Sequence, residues 1–522
     1  VVVFIYFNVA KARIFVSDLT TFFETDFSSD LKTWEDLLKG ELKLADPASK
    51  TFKKSTDLGL WPVLGIKSSQ LPSLPLGRSW KKTSQTYAIV DLTSIEAELK
   101  EDLESGVLNF FFYKEALNEE KWIKIVSILD IHKDQSEIEV VLLGQTPFNK
   151  GTSKIKVIDE CDLSSGRLVH DLGGDTITEL ALMTLRLIRN LESKSQDSTI
   201  EVFVDSQFFK NIAKIRAAKM LALKVLETLK LSNEITLVAL NSFRDWTFYE
   251  RYSNILRNNV SLASAFIGGA DVIQSVGYQF LFELTGVMDQ EHHDRSRRIA
   301  RNTAHILTLE SMLGVVQDAV SGSFQIDNLA DHFATKAWEK MQEMLPLSEK
   351  ELSEFIQKSI APIAEERKTA LNLRKRIISG INDFSNVKEK INFNEIPQLE
   401  FFRVAHHLES LRLQVENLKK KPKVYVGIFG DYAALNARLN FVRNYFELIG
   451  LEVEEELDLK NIEKIEDIVV ICAADEDYSK LDLKLHARDK FVAGKNPVSG
   501  MSNLFAGQNV FEVLEKLVKS WS

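Results

Sequence analysis

Apolar positions along the chain recur in two rhythms. Short, near-continuous runs (GVLNFFFY, EIEVVLLG, KIKVIDECDL, TIEVFVD and EITLVALNS) fall between residues 106 and 242. Runs of this kind predict strands covered on both faces. Between several of them the spacing turns helical, as in QFFKNIAKIRAAKMLALKVLETL. Repeated strand–helix units from about 85 to 320 predict a parallel sheet, and their number without a topological break favours a closed (β/α)₈ barrel over an open sheet. The pattern alone supplies fewer than eight strands.

Residues 325–418 read as helical throughout: DNLADHFATKAWEKMQEML, KELSEFIQKSIAPIAEERKTALNLRKRIISG and EFFRVAHHLESLRLQVENLK. The pattern breaks at KKKPK and restarts with KVYVGIFG as a strand, ALNARLNFVRNYFELIG as a helix and IEDIVVICAA as a strand. That restart predicts a small open α/β domain beginning near Pro422. At the other end, DFSSDLKTWEDLLKGEL predicts a capped helix with Trp34, Leu37 and Leu38 on one face, followed by the Pro-punctuated QLPSLPLGRSW. The expected layout is therefore an arm over 1–75, a barrel over 76–385, a helical linker over 386–421 and the small domain over 422–522.

Composition narrows the function classes. The 65 Lys and Arg against 75 Asp and Glu give a formal charge of −10, which offers no overall basic footprint for nucleic acid and argues against anionic membranes. Two cysteines, Cys161 and Cys472, exclude a disulfide framework and point to a reducing, cytoplasmic compartment. VVVFIYFNVA is too short to span a bilayer and has no basic residue before it, so it is expected to be an interior strand or upstream sequence rather than a signal peptide.

Local candidates for chemistry are few. Gly268-Gly269-Ala270-Asp271 could cradle an anion, but a helix-to-strand turn needing positive φ is the expected reading. Glu291, His292, His293 and Asp294 look like metal ligands by composition, yet adjacent histidines on a helix diverge by about 100°. A solvated polar loop is expected there, and likewise at His406-His407. Arg295, Arg298 and Arg301 can share a helix face, expected to be solvated or ion-paired rather than phosphate-gripping. Neither cysteine has a His or Lys beside it, and no Walker A, GxGxxG or G-x-S-x-G pattern is present.

Five ordered segments carry a resemblance. FFKNIAKIRAAKMLAL (Phe208–Leu223), NILRNNVSLASAFIGGAD (Asn254–Asp271), RRIARNTAHILTLES (Arg297–Ser311), DAVSGSFQIDNLADHFATKAW (from Asp318) and RKRIISGINDF (from Arg374) are similar, collinearly, to segments of the methylmalonyl-CoA mutase family. The resemblance implies an α/β fold of N-terminal arm, (β/α)₈ TIM barrel, helical linker and C-terminal flavodoxin-like domain. It also implies a reaction: the radical rearrangement of methylmalonyl-CoA to succinyl-CoA with adenosylcobalamin, whose chemistry the cofactor supplies.

Departures from the family's motifs set the expected role. Where the family presents K-M-G-Q-D-G-H-D-R-G, this chain reads with Ile428 for the Lys, Tyr432 for the Asp, Ala434 for the cobalt-ligating His and Ala437 for the last Gly. Later cobalamin segments shrink to FVAGKNPVSG and LFAGQNVFE. In the barrel, SGRLVHDLGGDTITELA places Arg167 and Leu168 at the family's catalytic Tyr and His, with His170 nearby and expected to be structural or solvated. The arm motif that presents a substrate-contacting Tyr and Arg lacks a counterpart around LGRSWKKTSQTYAIVD. These losses imply the non-catalytic small subunit of a heterodimeric methylmalonyl-CoA mutase. No catalytic, cofactor-binding or metal residues are expected in this chain, acyl-CoA is not expected in its barrel, and adenosylcobalamin is expected on the large catalytic subunit. The alternative is an active acyl-CoA mutase or other CoA-ester enzyme using corrin supplied by another chain.

Overall fold

The computed structural model describes residues 82–87, 95–107, 109–113, 119–132, 139–143, 156–158 and 163–521, apart from gaps at 195–197, 288, 314–318, 457–458, 464, 479–483 and 497. They fall within one compact unit, 68–522. The expected arm over 1–75, with Trp34, Leu37 and Leu38, lies outside the described residues, as does Cys161.

Among the described residues the chain is α/β with two parallel sheets. The first holds β1 (Lys82–Tyr87), β2 (Asn109–Tyr113), β3 (Glu139–Leu143), β4 (Lys156–Ile158), β5 (Leu163–Ser165), β6 (Ser198–Val204), β7 (Ile235–Asn241) and β8 (Val272–Ser275). Their order is β4-β3-β2-β1-β8-β7-β6-β5, so the first strand lies between the second and the eighth. Two of these strands escape the apolar pattern. β1 reads KTSQTY, held in place by backbone pairing on both sides, and β8 is only VIQS. The expected single strand KIKVIDECDL is instead two strands, β4 and β5, at opposite ends of the sheet order.

Strand β2 shows how the faces divide. Phe110 and Phe112 pack outward with Ile95, Leu99, Trp122 and Ile125 of the covering helices. Phe111, pointing the other way by the two-residue period, joins Phe203 of β6, Val238 and Leu240 of β7 and Val272 of β8. Buried cations on the helix Phe208–Leu229 are each met by a carboxylate: Lys210 by Asp205 at 2.6 Å, Lys214 by Glu179 at 2.6 Å, Arg216 by Asp327 at 2.8 Å and Lys219 by Asp271 at 3.3 Å. Leaving any of them unpaired in the interior would cost several kcal/mol.

The second sheet comprises β9 (Val424–Phe429), β10 (Val453–Glu456), β11 (Ile468–Ala473), β12 (Asp489–Ala493) and β13 (Ser502–Leu504). All pairs are parallel, in the order β10-β9-β11-β12-β13. Renumbered within the sheet this is 2-1-3-4-5, the order of an open doubly wound sheet with its switch point between the first and third strands. The central strand β11 is buried along its whole length, including Cys472, whose thiol burial pushes up to about 12.

One apolar core joins the two sheets. It runs from Phe243, Trp246 and Phe248 after β7, through Leu408 and Leu411 of the helix His406–Glu416, to Val424, Val442 and Val470 of the second sheet. The connecting helix is pinned by buried charge: Arg403 pairs with Glu409, and Glu409 Oε1 accepts the backbone N–H of Phe248 at 2.7 Å. Arg412 lays its guanidinium 3.8 Å from the Tyr249 ring centroid. No helix among the described residues is long and apolar enough to cross a membrane.

Candidate functional site

The polar residues of the first sheet converge at the C-terminal ends of β5, β6 and β7, where α/β proteins place their chemistry. Strand β5 ends at Ser165, and the chain turns through Gly166 into the short helix Arg167–Asp171. A Cβ at Gly166 would lie 2.3 Å from the Glu179 carbonyl oxygen, so only glycine fits this close passage. Ser165 Oγ donates to Glu201 Oε1 at 2.6 Å, and Arg167 Nη2 donates to Glu201 Oε2 at 2.9 Å. One carboxylate on β6 thus fixes both ends of the turn.

His170 is the residue this turn delivers to the neighbouring strands. It is buried, stacked on Phe203 of β6 with ring centroids 3.9 Å apart. Its Nδ1 is 2.8 Å from Asp171 Oδ1 and its Nε2 is 2.8 Å from Ser242 Oγ, just past β7. With Asp171 ionised, the network puts the proton on Nδ1, donating to Asp171, while Nε2 accepts from the serine hydroxyl. Arg244 donates from Nε to the His170 carbonyl at 3.0 Å, and Phe402 N–H donates to the Asp171 carbonyl at 2.7 Å. His170 is therefore buried and partnered at both ring nitrogens rather than solvated.

The electrostatics of the trio decide what it can do. Burial, reinforced by the positive charges of Arg244, Lys214 and Arg167, holds His170 well below its usual 6.5 and keeps it neutral. Burial raises Asp171 to about 7, against the pull of Arg167 and Arg244 and with the push of Glu201 and Glu179. Its side chain keeps 28% exposure, and solvent at that rim tempers the rise. A serine–histidine–aspartate line of this kind resembles a nucleophile relay, but a relay must form an imidazolium. The surrounding cations oppose that charge, and the contacts of His170 tie the turn after β5 to β6 and β7.

In the second sheet the corresponding position is the turn after β9. Asp431 caps the helix Tyr432–Glu447, its carboxylate accepting the N–H groups of Ala433 and Ala434, each at 3.3 Å. Tyr432 is half exposed and donates its hydroxyl to Glu455 at 3.1 Å. Ala434 presents a methyl group, with no electron pair for a cobalt ion. No group of three or more His, Cys, Asp or Glu that could hold a metal occurs among the described residues.

The remaining candidates separate. Gly269 takes φ 90 and closes the helix Ser253–Gly268 as expected of a helix-to-strand turn. Glu291 to Asp294 do not form a solvated loop; they open the helix Gln290–His305, capped by Asp289. His293 is buried there, 2.9 Å from Glu283 and 3.5 Å from Glu98. Burial pulls it down, but the hydrogen bonds and charges of these carboxylates win and raise it to about 9. On the same helix Arg301 pairs with Asp102 and Glu101, Arg295 with exposed Glu291, and Arg297 with Asp102 and Glu98. Of the three arginines expected on one face, Arg295 and Arg301 are ion-paired. His406 and His407 also leave the expected loop for a helix start, where His407 Nε2 lies 2.6 Å from Asn372 Oδ1.

Comparison with known proteins places these features. A family model for methylmalonyl-CoA mutase matches residues 199–423, from β6 to the threshold of β9. The chain is 28% identical over 311 residues to the methylmalonyl-CoA mutase small subunit of Porphyromonas gingivalis, covering 53% of this chain and 48% of that protein. It is 27% identical over 227 residues to the small subunit of Propionibacterium freudenreichii, covering 42% and 35%.

Over residues 199–423 the chain is similar to the methylmalonyl-CoA mutase family.

The mitochondrial methylmalonyl-CoA mutase of Bos taurus is 27% identical over 245 residues, 43% of this chain and 32% of that protein. The chain spans about half or less of the length of these mutase relatives. Both places where the resemblance locates mutase chemistry, the segments Arg167–His170 and Tyr432–Ala437, lie outside the family-matched span. Sequence reasoning missed Phe203, Ser242, Arg244 and Glu201. A signal was available in NSFRD, which sets a serine and an arginine at the C-terminal end of a predicted strand, where a barrel collects its polar residues.

Proposed function

We propose that this chain is the non-catalytic small subunit of a heterodimeric methylmalonyl-CoA mutase, pairing with a large catalytic subunit that carries adenosylcobalamin and isomerises methylmalonyl-CoA to succinyl-CoA. In this reading the first sheet closes as a (β/α)₈ barrel, the second is flavodoxin-like, and the pair works in the cytoplasm. Closure is supported by β1 lying between β2 and β8, and by Phe111 sharing a cluster with residues of β6, β7 and β8. The flavodoxin-like reading is supported by the 2-1-3-4-5 strand order.

The observation that carries the role is Ala434. It stands where the resemblance places the cobalt ligand, and its backbone N–H is engaged by the Asp431 cap of a regular helix. The neutral, cation-ringed His170 supports the same role in the barrel. A chain that keeps its fold without these groups offers its partner a surface, and binding only the folded partner stabilises it by mass action.

The test is co-expression with a longer relative bearing an intact D-x-H-x-x-G motif. The two chains should co-purify, and visible corrin absorbance should follow the longer chain alone. This chain, mixed with adenosylcobalamin and desalted, should be colourless. Stoichiometric corrin retained by the isolated chain, or failure of the two to associate, overturns the reading.

A further inference from the structure

The line Asp171–His170–Ser242 can hold its hydrogens in two ways. His170 is buried, with Nδ1 2.8 Å from Asp171 Oδ1 and Nε2 2.8 Å from Ser242 Oγ. A neutral imidazole carries one N–H and one lone pair, so one nitrogen must donate while the other accepts. Ser242 suits either arrangement, because a hydroxyl both donates and accepts. Asp171 suits either only by changing its protonation: ionised it accepts from Nδ1, and protonated it donates to Nδ1. Both arrangements leave both ring nitrogens bonded, as burial demands.

The surroundings decide which group of the line takes up a proton. Four cations act on the ring: Arg244 after β7, Lys214 on the helix Phe208–Leu229, Arg167 on its own short helix and Arg367 on the helix Glu349–Asn372. Together with burial they hold the ring neutral, so an imidazolium is disfavoured. Asp171 meets the opposite balance. Burial raises it to about 7, opposed by Arg167 and Arg244 and helped by Glu201 of β6 and Glu179 of the helix Thr176–Lys194. Its side chain reaches the rim, where solvent can deliver a proton, whereas His170 and Ser242 are sealed inside.

We infer that this line is a tautomeric switch: protonation of Asp171 moves the His170 hydrogen from Nδ1 to Nε2 and turns Ser242 from donor to acceptor. Counted over the three side chains, one proton enters from solvent. Asp171 Oδ1 gains a hydrogen, Nδ1 loses one, Nε2 gains one and Ser242 keeps its own. The ring stays uncharged in both states. Phe203 stacked on the ring and Arg244 on the His170 carbonyl hold the residue in place, so hydrogens move while the backbone stays. The output is the hydrogen-bonding sense of a buried hydroxyl just past β7, set by pH near neutrality. The switch belongs to this chain alone and stands whichever reaction the assembly serves.

Nitrogen NMR of the full chain, isotope-labelled at histidine, tests it, with His170→Gln identifying the His170 signals by their loss. Each ring nitrogen reports whether it carries a hydrogen. From about pH 5 to 8, where histidines ordinarily charge, His170 should keep a single ring hydrogen. That hydrogen should sit on Nδ1 at the alkaline end and on Nε2 at the acid end, with the midpoint inside this window and above the usual aspartate value of about 3.9. Asp171→Asn, which cannot take up the proton, should leave one tautomer at every pH. Should that variant fail to fold, Glu201→Gln decides, since losing a neighbouring negative charge should move the midpoint to lower pH. The switch is overturned if wild-type His170 keeps one tautomer throughout, or if it becomes an imidazolium within the window. It is overturned equally if Asp171→Asn still shows the transition, or if Glu201→Gln leaves the midpoint unmoved or raises it.

Discussion

His170 Nε2 lies 2.8 Å from the Ser242 hydroxyl, which ties the turn after β5 to the end of β7. Since Phe203 of β6 stacks on the same imidazole, one side chain fastens three consecutive strands. That fastening makes His170 a residue of stability, and the proposed subunit role makes it dispensable for turnover.

His170→Ala should therefore separate the two properties. Removing a buried, stacked and doubly bonded ring should cost about 2–4 kcal/mol in urea unfolding. In a heterodimer of unchanged assembly and cofactor content, mutase turnover should stay near wild type. A turnover loss of about a hundredfold, the scale expected when a donor to the reacting oxygen is deleted, would make this chain a participant in the chemistry.

The linker helix offers a sharper stability test. Arg403 and Glu409 are both buried and paired, and Glu409 also accepts from the backbone of Phe248. Breaking the pair from one side strands a charge in the core, so Glu409→Ala should cost about 3–5 kcal/mol. The double variant Arg403→Met with Glu409→Leu should recover part of that loss, read as a coupling in a double-mutant cycle. Additive effects would mean that the pair is not coupled.

At the turn after β9 the Asp431 carboxylate caps a helix. Asp431→Ala should lower stability by about 1 kcal/mol, while Asp431→Asn or Ser should restore most of it. Chemical denaturation followed by circular dichroism measures both. No change on Asp431→Ala would mean that the helix start is held by packing instead.

Two histidines should shape the pH dependence with opposite signs. His293 is raised to about 9, since Glu283 and Glu98 overcome the downward pull of burial. The folded state then holds its proton more tightly than the unfolded chain, so this contribution is full below 6.5 and lost as pH climbs through about 9. Burial, with the charges of Lys368 and His406, lowers His407 to about 4. Here the unfolded chain takes the proton first, and stability intact above 6.5 is lost as pH falls toward about 4. Urea midpoints across this range should show His293→Gln flattening the alkaline arm and His407→Gln flattening the acid arm. An unchanged slope in either variant removes that histidine from the account.

Much of the architecture was already legible in the chain, because near-continuous apolar runs such as NFFFY and IVVICA can only be strands covered on both faces, and the break at KKKPK marks where helices give way to a second sheet. That Ala434 itself offers no metal ligand was equally legible, since a methyl group has no lone pair in any fold. Tertiary structure decided the rest. The polar strand KTSQTY exists because β2 and β8 supply its backbone partners from either side, and KIKVIDECDL serves two distant edges of one sheet order. His293 gives a metal-like composition a structural meaning only when Glu98 and Glu283, far away in sequence, meet it in a buried space. His170 likewise owes its neutrality to Arg244, Lys214 and Arg167, which only folding gathers around it. Local periodicity depends on neighbours within a few residues, whereas charge, burial and unpaired donors depend on distance through space, which the order of residues does not contain.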